Sequence, residues 1–317
     1  MAKSKNIFLE NLEYYLLIPL IFIVRLLSLK TAFKIVSFGA RMAFIVDRRH
    51  RNRAIQHILH SGIVNSEKSA QKLAFASFVH FAKIGVEIIK IDQYINPENI
   101  SEYIKLTYVN PEAEKALKNA KAIIYAGAHY GNWEISGLGS SVLVRPIVSV
   151  MRPFDNKKIG DYIISKRRMF NQEVCDKNSA IKPLLKAISE GKAIGILSDQ
   201  HAGSSVGVAT TFFGHPARTH FSPAMLHIKT GASIFVGIAR RLDDNFKYEI
   251  SFTGPLELKN PTGNREKDMQ KLAQMYTTGI ENEIRKDPSQ WVWCHRRWLN
   301  INRYGKATSI DSLSNFI

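Results

Sequence analysis

Chemistry-bearing residue types concentrate in one short segment, AGAHYGNWE, running from Ala126 to Glu134. A histidine followed five positions later by a carboxylate suggests a general base and the group that orients it. On one continuous helix, five positions rotate by about 140°, so the two side chains would diverge. They meet only if His129 occupies a turn and Glu134 the first helical turn after it, a bend that Gly131 permits. The carboxylate would then fix one imidazole tautomer and leave the other nitrogen free to accept a proton. The competing reading makes His129 a hydrogen-bonded turn residue and Glu134 a helix-start carboxylate favoured by the helix dipole.

Further polar residues fall at the ends of apolar runs. Arg152 follows IVSVM and Asp199-Gln200 follow AIGIL, both at the carboxyl edge of an expected strand, where α/β proteins build their sites. Asp199 suits a partner for Arg152, a substrate hydroxyl or a turn cap. Arg167-Arg168 close the helix after IVSVM. The loop Phe212-Phe213-Gly214 reads either as the lining of an acyl-chain channel or as core. The run QWVWCHRRW, Gln290 to Trp298, interleaves aromatics with cations. It fits nucleic-acid stacking, a membrane-interface belt, or core tryptophans beside solvated arginines.

Other chemistries lack their residues. There is no G-x-S-x-G elbow, no P-loop and no H-E-x-x-H helix, and Gly137-Leu138-Gly139 lacks the third glycine of a dinucleotide fingerprint. Two distant cysteines, Cys175 and Cys294, make neither a zinc cluster nor a disulfide framework.

The elements that position these groups follow from apolar rhythm. Short, nearly continuous runs at 122–128, 147–151, 193–197 and 233–238 read as buried strands, with helical patterns at 156–170 and 179–190 between them. Such alternation predicts an α/β sheet covered on both faces. Residues 66–91 and 264–286 read as helices, 110–120 as a short one, and YEISF (248–252) as a half-exposed edge strand. Upstream, residues 14–24 (YYLLIPLIFIV) are apolar throughout, and a basic cluster, DRRHRNR, follows at 47–53. That pairing predicts an amino-terminal membrane anchor whose cations face anionic lipid. The chain's 317 residues carry 44 Lys+Arg against 27 Asp+Glu, a net charge of +17 that points to anionic partners. With 45% hydrophobic residues, disordered and collagen-like classes are excluded.

Taken in order, AHYGNWE, VMRPFDN with its Arg-containing helix, LSDQ, FFGHPARTHFSPAMLHIKTGA and QWVWCHRRW make the chain resemble the bacterial lipid A biosynthesis acyltransferases, the late lauroyl and myristoyl transferases. The likeness extends along nearly the whole length. It implies an α/β fold like that of glycerol-phosphate acyltransferases, a mixed sheet covered by helices behind an amino-terminal membrane-anchoring helix. The expected division is an anchor and basic juxtamembrane segment at 1–60 and a cytoplasmic acyltransferase domain at 61–317, in the bacterial inner membrane. The activity implied is acyl transfer from acyl carrier protein to a hydroxyl of a lipid A precursor. His129 would be the base and Glu134 its partner. Arg152, Asp199, Asn132, Arg168, Gln200, Arg296 and Arg297 would bind substrate, with no metal or organic cofactor. Implied partners are acyl carrier protein, a membrane glycolipid and an anionic membrane surface, with no nucleic acid. The alternatives are another glycolipid acceptor, such as a phosphatidylinositol mannoside, or a membrane-tethered nucleic-acid-binding module.

Overall fold

The computed structural model describes residues 7–299; the remainder of the expected 61–317 domain lies outside the described residues. Four helices come first, α1 (Ile7–Leu26), α2 (Leu29–Val46), α3 (Arg48–Ser61) and α4 (Glu67–Tyr94), followed by a single turn, α5 (Ile100–Tyr103). The chain then alternates: β1 (Ile104–Tyr108), α6 (Pro111–Asn119), β2 (Ile123–Gly127), α7 (Trp133–Leu143), β3 (Ile147–Met151), α8 (Lys157–Arg168), β4 (Gln172–Asp176), α9 (Ile181–Ser189) and β5 (Ala193–Leu197). A hairpin, β6 (Gly207–Phe212) and β7 (His215–His220), precedes α10 (Ser222–Thr230), β8 (Ser233–Arg241), β9 (Tyr248–Leu256) and α11 (Arg265–Lys286).

Among the described residues seven strands form one mixed sheet in the order β1-β9-β8-β2-β5-β3-β4, in which only the β8–β9 pair is antiparallel. Helix starts follow from side-chain caps. The Asn132 carboxamide oxygen accepts from the Glu134 and Ile135 amides, and Asn110, Asn156 and Asn264 cap α6, α8 and α11 in the same way. One apolar core, around Ile124, Ile194, Trp291 and Trp293, lies on one face of the sheet; the other, around Tyr125, Leu138, Phe235 and Phe252, lies beneath α7. Helix α3 delivers Ala54, Ile55 and Ile58 to the first, and α2 delivers Leu29, Ala32 and Phe33 to the second.

Two expectations need correction. YEISF is not an edge strand: it begins β9, hydrogen-bonded to β1 on one side and β8 on the other, and the sheet's edges are β1 and β4. Its alternation arises because Tyr248, Ile250 and Phe252 are buried while Glu249 pairs with Arg240 at 2.7 Å. The amino-terminal segment does not provide a span either. Among the described residues no helix is long and apolar enough to cross a membrane. The uninterrupted apolar stretch of α1 is roughly half the ~20 residues required. Glu10 and Glu13 precede it, and Arg25 ends it by pairing with Asp92 of α4 at 2.7 Å, an aspartate that Lys166 of α8 also engages at 2.7 Å. The Arg25–Asp92 pair docks α1 on the body of the protein.

Candidate active site

Parallel pairing of β2 with β5 places Gly127 opposite Leu197. Two residues beyond each of those positions stand His129 and Asp199, so the register itself brings them together at the sheet's carboxyl edge. The Asp199 carboxylate accepts from His129 Nδ1 at 2.9 Å, from the His129 backbone N–H at 3.0 Å and from Trp291 Nε1 at 2.9 Å. Burial alone would raise the Asp199 carboxyl, but the His129 charge and these hydrogen bonds bring it down to about 2. Burial opposes a charge on His129, yet the Asp199 charge and hydrogen bond outweigh it, and the imidazole pKa stands above 6.5. A carboxylate that can only accept fixes the imidazole proton on Nδ1 and leaves the Nε2 lone pair as the available base. The Gln200 amide lies against the ring, 3.2 Å from Nδ1, while the Trp133 and His295 rings stand 5.4 and 5.6 Å from it, centre to centre.

Glu134 is not the partner of His129. It forms a bidentate ion pair with Arg167, Oε1 to Nη2 at 2.7 Å and Oε2 to Nε at 2.8 Å, with both side chains buried. The five-residue spacing therefore does build a turn followed by a helix start, as expected, but the carboxylate turns inward along α7. Arg167 also reaches Ser149 Oγ at 3.3 Å, which Gln172 Nε2 contacts at 2.9 Å. These groups line a small chamber of about 70 Å³ between α7 and the sheet, bounded by Gly127, Gly137, Gly195 and Gly237. On the opposite face lies a larger groove of about 560 Å³ that includes His129. Leu184 and Leu226 line its apolar interior, and Arg152 and Lys177 its basic part. Val150, Ile196 and Leu197 are common to both cavities.

The remaining expected residues divide. Arg152 is exposed at the groove, with a long 3.9 Å contact to Asp155. Gln200 is at the imidazole. Arg168 and Arg296 are exposed on the surface. Asn132 and Arg297, expected to bind substrate, are instead buried and committed to the fold. Asn132 caps α7 and donates to Glu87 at 2.9 Å. Arg297 donates to the Gln200 and Arg218 carbonyls and to Thr219 Oγ1 at 3.1, 2.8 and 2.7 Å, and burial lowers its pKa to about 10.

Phe212, Phe213, Trp291, Trp293 and Trp298 pack on one another in the core, so neither a channel lining nor an interfacial tryptophan belt is built from them. With those rings buried, the carboxyl-terminal tract also presents no tryptophan on which a nucleobase could stack. Among the described residues no group of three His, Cys, Asp or Glu side chains comes together that could hold a metal ion. Sequence reasoning missed Trp291 as the second donor to Asp199 and Arg167 as the partner of Glu134.

The sequence profile described as bacterial lipid A biosynthesis acyltransferase matches residues 2–300. The chain belongs to that family. Individual relatives are distant. The lipid A biosynthesis palmitoleoyltransferase of Escherichia coli (strain K12) is 23% identical over 187 residues, 58% of each chain. The lipid A biosynthesis lauroyltransferase of the same organism is 26% identical over 179 residues, 56% of each chain. A phosphatidylinositol mannoside acyltransferase from Mycolicibacterium smegmatis is 22% identical over 188 residues, 58% of this chain and 59% of the relative. The matched portion thus spans little more than half the length of these relatives. For a member of this acyltransferase family, the mixed sheet places an ionised aspartate, a histidine whose Nε2 stands 3.5 Å from the Gln200 amide nitrogen, and an apolar groove with basic groups at one edge.

Proposed function

We propose that the protein transfers a fatty acyl group from an acyl carrier protein thioester to a hydroxyl of a lipid A precursor, with His129 as general base. One observation carries this reading: His129 holds its Nδ1 proton on the ionised Asp199 and borders the groove. The apolar interior suits a hydrocarbon chain, and Arg152 and Lys177 suit the phosphates of an acceptor or of a carrier's prosthetic group.

His129 Nε2 takes the proton of the acceptor hydroxyl as its oxygen attacks the thioester carbonyl carbon. Asp199 stabilises the imidazolium that forms. Collapse of the tetrahedral adduct breaks the carbon–sulfur bond, and the departing thiolate takes the proton back from the imidazolium. No metal or organic cofactor enters this scheme. Asp199 takes the orienting role expected of Glu134, and Glu134 instead secures Arg167 beneath the site.

The acceptor resides in a membrane, and the amino-terminal helices supply a matching surface. Leu16, Phe22, Leu26 of α1 and Phe38, Ile45, Val46 of α2 are exposed, with Lys30, Lys34, Arg48 and Arg49 exposed among or beside them. A large apolar surface rimmed by cations fits the interface of an anionic leaflet, with the helices lying on the bilayer. On this reading the catalytic edge works at the bacterial inner membrane, with the carrier protein arriving from the cytoplasm.

The test is incubation of purified protein with acyl carrier thioesters and a lipid A precursor, followed by mass analysis of the lipid. Gain of one acyl chain is expected. A phosphatidylinositol mannoside acceptor is the second reading, favoured by the mycobacterial relative. Acylation of that lipid alone would select it, and acylation of neither lipid would refute both.

A further inference from the structure

The backbone that carries His129 is held from outside the active site. Its own carbonyl accepts from the Val292 N–H at 3.2 Å, and the Gly131 N–H donates to the Gln290 carbonyl at 2.9 Å. Gly131 has φ +56°, and a Cβ there would fall 1.6 Å from the Ala239 carbonyl oxygen, so the turn is pressed directly onto β8. The Gly131 carbonyl faces His80 of α4, whose Nε2 stands 2.9 Å away. On the other side of that ring, Arg241 Nη1 lies 3.0 Å from Nδ1.

A guanidinium can only donate, so Nδ1 is the acceptor and the single proton of a neutral imidazole sits on Nε2, directed at the Gly131 carbonyl. Burial, reinforced by the Arg241 charge, lowers the His80 pKa to about 3 and keeps the ring neutral. Arg241 itself is clamped by Glu87, Nε to Oε1 at 2.9 Å and Nη2 to Oε2 at 2.7 Å. Glu87 Oε2 also accepts from Asn132 Nδ2 at 2.9 Å, one residue beyond Gly131. The Gln290 side chain closes the circuit by bonding the backbone N–H and carbonyl of Arg241, both at 2.9 Å.

The geometry points to His80, Glu87 and Arg241 as positioning residues: a buried relay from α4 and β8 that fixes the peptide units at Gly131 and Asn132 and thereby aims His129 at its substrate. None of the three lines the groove that contains His129. Their effect is therefore on geometry, where displacement by about 1 Å costs on the order of 100-fold in rate.

The test pairs His80→Phe, which keeps an aromatic ring and loses both hydrogen bonds, with His80→Gln, whose amide can accept from Arg241 and donate to Gly131. Hydrogen exchange of the full chain is read at residues 128–135, alongside kcat and KM for acyl transfer. Exchange in His80→Phe should quicken at the turn and not across the sheet. Its kcat should fall at least tenfold with KM within about twofold, and His80→Gln should recover most of both. Unchanged exchange at the turn, wild-type kcat in His80→Phe, or equal impairment in the two variants would overturn the proposal.

Should His80→Phe fail to fold, Arg241→Lys replaces it, keeping the charge beside Glu87 and losing the contact to His80. The same local exchange and kcat changes are then expected, and their absence is equally decisive. The kinetic arm rests on the acyl-transfer reading. A wild-type protein that transfers no acyl group would refute that reading, while the exchange comparison still decides the positioning role.

Discussion

Replacing Asp199 by Asn removes one charge from the buried pair while leaving the side chain's shape. Asp199 receives three hydrogen bonds, and an amide can accept only with its oxygen. If that oxygen keeps the backbone N–H of His129 and Trp291 Nε1, the amide nitrogen faces Nδ1 as a donor. The imidazole proton then moves to Nε2, and the lone pair that should receive the hydroxyl proton is gone. General-base catalysis is worth about 10²–10⁴-fold, so kcat should fall by that factor, or about 3–6 kcal/mol of barrier at ~1.4 kcal/mol per decade. The pH profile gives an independent sign. Wild-type activity should rise with pH as His129 loses its proton, through a pKa above 6.5. Without Asp199, burial dominates and the acid limb should move downward. The pair also links stability to pH. The His129 contribution is fully present below pH 6.5 and lost as pH rises through its raised pKa, while that of Asp199 is present above pH 3.8 and lost as pH falls through about 2. The assay is acyl transfer from labelled carrier thioester across pH 5–9, with thermal melts alongside. A variant retaining kcat within about threefold, with an unmoved acid limb, would refute the reasoning.

Glu134→Gln should act on stability first. Removing one partner of a buried ion pair costs about 3–5 kcal/mol because the Arg167 charge is left poorly compensated, so the melting temperature should drop. The acid limb should move down less than in Asp199→Asn, because the Glu134 charge is the smallest of the causes that raise the His129 pKa; a shift as large as that of Asp199→Asn would return Glu134 to the role of orienter. The double substitution Phe22→Glu and Phe38→Glu should weaken flotation with anionic vesicles at least tenfold, since an interfacial phenylalanine contributes about 1.5–3 kcal/mol when fully buried. Unchanged flotation would remove α1 and α2 from the membrane contact.

Much of the scaffold was legible because its central strands are short apolar runs between turn residues. The runs at 147–151 and 193–197 coincide with β3 and β5. The helical patterns beginning at 110, 156 and 264 start on asparagines that the structure shows capping α6, α8 and α11. Partnerships across the sheet were not legible in spacing. His129 and Asp199 lie 70 positions apart, whereas Glu134 is near in sequence and directed elsewhere. The usable signal was that both residues stand two positions past the end of a buried strand, which becomes a contact once those strands pair in parallel. The amino-terminal apolar stretch misled for a related reason. Hydropathy registers Arg25 as an interruption but not its ion pair with Asp92, 67 positions away. Likewise the tryptophans of QWVWCHRRW have the composition of a membrane belt, and only the packing of Phe212 and Phe213 against them shows a core.

The most direct measurement is single-turnover transfer of a labelled acyl group from carrier protein to lipid A precursor by wild-type protein and by His129→Ala, with circular dichroism matched between them. The account predicts that the wild-type protein acylates the lipid and that the variant, equally folded, loses nearly all of the rate. Transfer at the wild-type rate by His129→Ala would contradict it.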